Sequence, residues 1–187
     1  MRRHILTAAS AFALLTAPAA AQVSSVDGAP PTVSQSVDLV NLDASSFAAL
    51  AASTNTLEIT ASETAAEMVE DAEVKAFALK MIKHHKMVTA ELAAAARAAG
   101  VSLDGATTPV QMDPAHARML DQMKVEGGSS FDERYMALQV EAHENTIDLY
   151  EAYAENGEND ELKAFADEAL PALREHLQQA QALARPS

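Results

Sequence analysis

The chain of 187 residues contains no cysteine. This absence excludes disulfide bonds, thiolate metal ligands, cysteine nucleophiles and lipid attachment at a lipobox. Aromatic residues make up only 4% of the chain, and tryptophan is absent. We therefore expect close contacts between alanine-rich helices to provide much of the packing. A folded part of about 140 residues can bury about 68–70% of its unfolded surface, which is enough for one stable domain.

Basic residues are also few, with 13 Lys and Arg against 27 Asp and Glu. Such a surface repels nucleic acid and anionic lipid, so we expect no nucleic-acid partner. The sequence lacks a glycine-rich phosphate loop, the HExxH and GxSxG motifs, and a basic patch interleaved with aromatic residues. These absences exclude the common motif-defined nucleotide-binding, zinc-protease, hydrolase and nucleic-acid-binding classes.

Long hydrophobic runs are absent except at the N-terminus. Arg2 and Arg3 precede an apolar run from Ile5 to Leu15, and the small residues Ala19–Ala21 follow. This run is too short to span a bilayer, and its flanks are those of a signal peptide. We predict a signal peptide over residues 1–21 and export to the periplasm. A membrane anchor is the alternative interpretation, and association with the outer membrane stays open.

The rest of the chain divides into a tether and a helical domain. Residues 22–42 are rich in Ser, Val, Pro and Gly, which predicts a flexible tether. Residues 43–185 show apolar positions three and four apart, which predicts helices. Four long helices form two antiparallel hairpins, joined by a long crossover that contains a short helix. The predicted fold is therefore all-α, a ferritin-like four-helix bundle, with no later segment that spans a membrane.

Start and stop signals set the expected helix boundaries. The first helix runs from about Ala44 to Val69, and the second runs from its cap Asp71 and stops at Gly100. The short helix begins at Asp113-Pro114 and ends near Gly127-Gly128. The third long helix runs from the capping box of Ser130 and Glu133 to Asn156, and the fourth from Asn159 to about Ala184. Pro171 lies inside the fourth, and we expect it to kink the helix and free the carbonyl of Asp167.

Four polar residues interrupt or flank the apolar stripes of the long helices. His85, His143 and His176 lie within three different stripes, and Glu58 lies beside Leu57 on the first helix. Glu58 and His85 are each about 13 residues from the first turn, so we expect them at one level. His143 and His176 differ in depth by about one helical turn, or about 5–6 Å.

Imidazole and carboxylate are the usual ligands of iron, copper, zinc and manganese, and a bundle core is a common place for a metal site. We therefore predict that Glu58, His85, His143 and His176 hold a metal ion. The alternative is a buried Glu–His hydrogen-bond network without metal, because an interior Glu requires a partner in either case.

Two further features have less specific interpretations. His84 is rotated about 100° from His85, so we expect it on the surface or, alternatively, behind the ligands. Met112, His116, Met119 and Met123 share one face of the short helix. Thioether and imidazole groups suit Cu(I), but methionines at this spacing more often face a core.

The chain resembles the bacterial domain-of-unknown-function family 4142, whose members are often labelled predicted outer membrane proteins. The resemblance covers about residues 43–184. It rests on Phe47-Ala48-Ala49, Asn55, Glu58-Ile59, Val74–Ala78, Met81, His85, Phe131-Asp132, Tyr135, His143, Leu162–Ala166, Leu170-Pro171 and His176. It implies an exported ferritin-like bundle and supplies no activity. Ile82 and Leu173 stand where Glu-x-x-His motifs would place glutamates, which argues against a carboxylate-bridged di-iron centre.

Three functions are compatible with these features. The first is a non-catalytic binding or envelope stress protein with a metal site in the bundle core. The second is a metal-dependent oxidoreductase acting on oxygen species, which needs an open coordination position. The third is a structural module without metal that interacts with an envelope protein partner. We favour the first.

Overall fold

The computed structural model describes residues 39, 41–103, 112–125 and 130–184. The predicted signal peptide and all but three residues of the predicted tether lie outside this range. The described residues form five α-helices and no strand, which confirms the all-α class. The helices are α1 (Ala44–Met68), α2 (Ala72–Ala98), α3 (Pro114–Lys124), α4 (Phe131–Asn156) and α5 (Asp160–Leu183).

Each helix begins at a polar side chain that accepts a hydrogen bond from a backbone amide of the first turn. The caps are Asp43, Asp71, Asp113, Ser130 and Asn159. The Ser130–Glu133 pair forms the predicted reciprocal capping box. α2 ends before Gly100, which has a φ of 70°, a conformation that glycine adopts without the steric cost of a Cβ. These features confirm the predicted starts of the five helices and the end of the second at Gly100, whereas α3 ends at Lys124, earlier than the predicted end near Gly127-Gly128.

α5 remains helical through Pro171. Proline has no amide hydrogen, so it cannot donate to the carbonyl of Asp167 as a helical residue there would. The expected kink stays a prediction, and the helix continues to Leu183.

Two contacts fix which helix ends meet. The Asp132 carboxylate at the start of α4 accepts hydrogen bonds from the backbone amides of Glu70 and Asp71, at 3.2 and 2.9 Å. At the other end, the backbone amide of Ala44 donates to Glu158 in the α4–α5 turn at 3.4 Å. α2 and α4 therefore start at the same end.

The four long helices pack in a closed ring. α1 contacts α2 and α4, and α5 contacts the same two helices, while the short α3 lies against α1 and α4. None of the described helices is long and apolar enough to cross a membrane. Each of α1, α2, α4 and α5 thus presents two faces to its neighbours, and residues on both faces can be buried.

Two hydrophobic clusters occupy the interior. The first is centred on Phe47, whose ring stacks on that of Tyr153 with centroids 4.0 Å apart. The second contains Leu57, Met81 and Tyr135. Alanines at 0% exposure contribute to both clusters, as the low aromatic content predicts. In every long helix, one cluster precedes and the other follows a short polar stretch, and the candidate site lies in that polar layer.

Candidate metal centre

The polar layer contains all four residues predicted as ligands, one from each long helix. Glu58, His85, His143 and His176 are each 1–2% exposed. The ring centroid of His143 lies 5.7 Å from that of His85 and 5.4 Å from that of His176. The rings of His85 and His176 are 5.8 Å apart. The structure therefore brings the three histidines into one triangle.

The carboxylate of Glu58 lies beside this triangle. Its Oε1 is 3.6 Å from Nδ1 of His143, and its Oε2 accepts a hydrogen bond of 2.6 Å from Nε2 of Gln139. One potential ligand atom from each of Glu58, His85 and His143 lies within 4.8 Å of the other two. That spacing is short enough for one ion to reach all three after small side-chain movements, since metal–ligand bonds are about 2.0–2.2 Å.

Hydrogen bonds fix two of the imidazole rings. Nδ1 of His85 is 2.8 Å from Oδ1 of Asn55, and Nδ1 of His143 is 2.8 Å from the backbone carbonyl of Gln139. A carbonyl oxygen only accepts, so each Nδ1 carries the proton. In a neutral ring with this hydrogen bond the lone pair is on Nε2, and the arrangement is that of histidines oriented for metal binding.

Four ligand atoms in this layer are buried and lack a hydrogen-bond partner within the described ranges. They are Glu58 Oε1, His85 Nε2, His143 Nε2 and His176 Nδ1. Leaving a buried polar group unpaired costs about 1–3 kcal/mol. A cluster of this kind requires an explanation, because buried polar groups in proteins are nearly always paired.

Burial also sets the charge state of the layer. It raises the pKa of Glu58, against the opposing effects of His143 and the Gln139 hydrogen bond. Burial, reinforced by the neighbouring histidines, lowers the pKa of His85 well below its usual value and that of His176 to about 3. His85 and His176 are therefore neutral at pH 7, with lone pairs available to a metal without loss of a proton.

The expectation that His84 lies on the surface is corrected by the structure. Its side chain is half-buried, its ring lies 4.6 Å from that of His176 in perpendicular orientation, and its buried Nδ1 has no hydrogen-bond partner in the described part of the chain. Asn55 and Gln139 were not predicted as site residues. In the sequence, an amide side chain that orients a ligand looks the same as one that is merely tolerated among apolar residues.

The methionine face of α3 is part of the hydrophobic core. Met123 is buried in the second cluster, and Met112 and Met119 pack against that cluster. His116 lies 2.7 Å from the hydroxyl of Ser53 through its Nδ1. These contacts give the three methionines a packing role, as the core-facing interpretation expects, and His116 a hydrogen bond to α1.

The comparisons with known proteins agree with the resemblance seen in the sequence. The model of the family described as domain of unknown function (DUF4142) matches residues 29–183. The chain belongs to this family, and the match begins within the segment predicted as a tether. No curated protein and no solved structure matches the chain.

Proposed function

We propose that this member of the DUF4142 family is an exported protein that binds one transition-metal ion through Glu58, His85, His143 and His176, without catalysing a reaction. The observation that carries the proposal is the set of four buried, unpartnered ligand atoms in the central polar layer. An ion at this point would pair with all of them and remove the cost of leaving them unsatisfied.

The charge and donor types support a transition metal. Three imidazoles and one carboxylate suit zinc, iron, copper or manganese. The single negative charge of Glu58 would offset part of the charge of a divalent ion, which gives a buried glutamate a counter-ion. The hydrogen bonds from His85 to Asn55 and from His143 to Gln139 hold the rings with Nε2 free, as an effective site requires.

Two observations support binding in preference to turnover. The four ligand side chains are 1–2% exposed, so a substrate has no direct access to an ion held between them. Four protein ligands also complete a tetrahedral shell, whereas catalytic zinc sites retain an open position. The metal-dependent oxidoreductase predicted as an alternative would require both an open position and a substrate path.

The proposal includes the ferritin-like arrangement and the location in the periplasm. The parallel α2 and α4, with a long connection between them, support two antiparallel hairpins joined by a crossover. The N-terminal basic residues, short apolar run and small residues support cleavage of a signal peptide and export. An envelope protein partner remains compatible with this location.

Elemental analysis tests the proposal. The protein would be expressed with its own N-terminus and purified from the periplasm without chelators or a histidine tag. We expect near-stoichiometric metal in the wild type, loss of that metal in a His85→Ala/His143→Ala variant, and retention in His116→Ala. His116 is a matched control because it is a partly buried histidine bonded to Ser53, outside the cluster.

An absence of metal from the wild type, persisting after incubation with iron, copper, zinc and manganese, would contradict the proposal. The histidines would then form a metal-free polar network. In that case, replacing Glu58 and His85 together should cost less stability than the sum of the single replacements, because the two residues share one network.

A further inference from the structure

His84 extends the polar layer towards solvent. It is the half-buried member of the histidine group, whereas His85 and His176 are 2% exposed. One potential ligand atom from each of His84, His85 and His176 lies within 4.8 Å of the other two. This outer triad is made only of imidazoles, and it shares His85 with the inner triad of Glu58, His85 and His143.

We propose that His84, His85 and His176 form an outer metal position through which an ion enters and leaves the inner position. This inference rests on the proposed function and adds a route to it. The ion would first bind the outer triad. It would then give up its bond to His84, keep those to His85 and His176, and form bonds to Glu58 and His143, with no change in its oxidation state.

Because both triads use His85, an ion occupies the two positions one after the other. Nδ1 of His85 donates to Asn55, so this ring has one lone pair, on Nε2, and can bind one ion at a time. The two triads therefore cannot both hold an ion through His85. With the His85 ring held by Asn55, a small displacement of the ion moves the metal from one triad to the other.

The charge difference between the triads gives the transfer a direction. The outer triad offers no negative ligand, whereas the inner triad adds the carboxylate of Glu58. Attraction between that carboxylate and a cation is strong in a buried, low-dielectric site. The inner position should therefore be the resting position, and the outer position a transient one.

The surroundings of His84 suit the entry of a cation. The carboxylates of Glu91 and Glu175, the ammonium of Lys80 and the imidazole of His143 all lie close enough to act on its charge. Lys80 is paired with Glu175 at 2.8 Å, and both side chains are exposed. His143 is buried, whereas Glu91 and Glu175 are exposed. The solvent-facing groups near His84 are therefore two carboxylates and one ammonium, and their field attracts a cation to the half-buried end of the histidine group.

Stopped-flow loading with Co²⁺ tests the route, since cobalt bound by nitrogen and oxygen ligands can be followed by its visible absorption. The full chain would be compared with His84→Ala, His143→Ala and His116→Ala, with helical content checked by circular dichroism. We expect His84→Ala to slow both loading and chelator-driven release about tenfold or more, corresponding to about 1.4 kcal/mol in each barrier. Its equilibrium affinity should stay within a few-fold of wild type.

The matched variants should behave differently. His143→Ala should lower the equilibrium affinity by at least about a hundredfold, more than loss of a supporting group would. His116→Ala should change neither rate nor affinity. A His84→Cys variant, which restores a metal ligand at the same position, should recover much of the loading rate, whereas a packing role for His84 would not give this recovery.

Three outcomes would overturn the inference. Wild-type loading and release rates in His84→Ala would show that ions enter elsewhere. An affinity loss in His84→Ala as large as that in His143→Ala would show that His84 is a permanent ligand. A wild-type chain that binds no cobalt, zinc, iron, copper or manganese would overturn the proposed function together with this route, so the two failures are distinguishable.

Discussion

Replacing Glu58 with glutamine should have opposite effects on the metal-free and metal-bound proteins. Burial raises the pKa of the Glu58 carboxyl in the folded chain, which means that the folded state disfavours the ionised form. The stability that this carboxyl contributes is present below its unfolded pKa near 4.5 and is lost as the pH rises through the folded value. The neutral amide of Glu58→Gln avoids that loss. The free energy of unfolding of the metal-free variant should therefore rise relative to that of the wild type as the pH rises above 4.5.

The metal-bound protein should show the reverse. A ligand that binds only the folded state stabilises it by about 2.7 kcal/mol at a concentration of 100 times Kd, and by about 4.1 kcal/mol at 1,000 times Kd. If Glu58→Gln weakens binding a hundredfold, most of this stabilisation disappears, a loss of about 2.7 kcal/mol at saturating metal. For a domain of this size the corresponding fall in Tm is about 5–10 °C.

Thermal unfolding followed by circular dichroism, with chelator and with added metal, measures both effects. Glu63→Gln is the matched control, because Glu63 lies on the same helix, is 52% exposed and pairs with Lys86 on the surface. It should change stability by less than about 1 kcal/mol in either condition. A metal-induced rise in Tm that is as large in Glu58→Gln as in the wild type would refute the role of Glu58 as a ligand. Destabilisation of the metal-free variant by the same amount at every pH would refute the charge argument.

Three other substitutions test the orientation of His85 and the two turns that join the paired helices. Asn55→Ala removes the acceptor that orients His85, so metal affinity measured by competition with a chromophoric chelator should fall about 10- to 100-fold. Gly157→Ala places a Cβ 2.5 Å from the carbonyl oxygen of Tyr153, and urea unfolding should show a loss of about 1–3 kcal/mol; an unchanged midpoint would contradict this. Asp132→Ala removes the acceptor of two amides in the α1–α2 turn and should cost about 1–3 kcal/mol, visible as faster amide exchange at that turn.

The sequence predicted the helices and the four candidate ligands because both depend on local signals. Capping side chains mark where each helix begins, and a histidine inside an apolar stripe faces the interior wherever the stripe does. The metal itself could not be predicted with the same strength. Its presence depends on whether the buried nitrogens have other partners, and partners such as Asn55 are visible only once the helices are packed.

The half-buried position of His84 could not be predicted by treating α2 as a helix with a single buried face. α2 packs against both α1 and α5, so it has two interior faces separated by roughly a quarter of its circumference. A rotation of about 100° between consecutive residues turns His84 away from α1 and towards α5. Its ring consequently meets that of His176 at 4.6 Å. Adjacent histidines on such a helix can therefore contact two different neighbouring helices.

The depth mismatch expected between His143 and His176 has a physical resolution in the tilt of side chains. His143 lies 13 residues before the end of α4, and His176 lies 16 residues after the start of α5. Glu58 and His85 show the same offset of three, at 10 residues before the end of α1 and 13 after the start of α2. Each Cα–Cβ bond points towards the N-terminus of its own helix. Across an antiparallel turn, this tilt carries the first side chain away from the turn and the second towards it. An offset of three residues, about 4.5 Å along the axis, therefore brings the two side chains to one level, whereas equal counts from the turn would separate them.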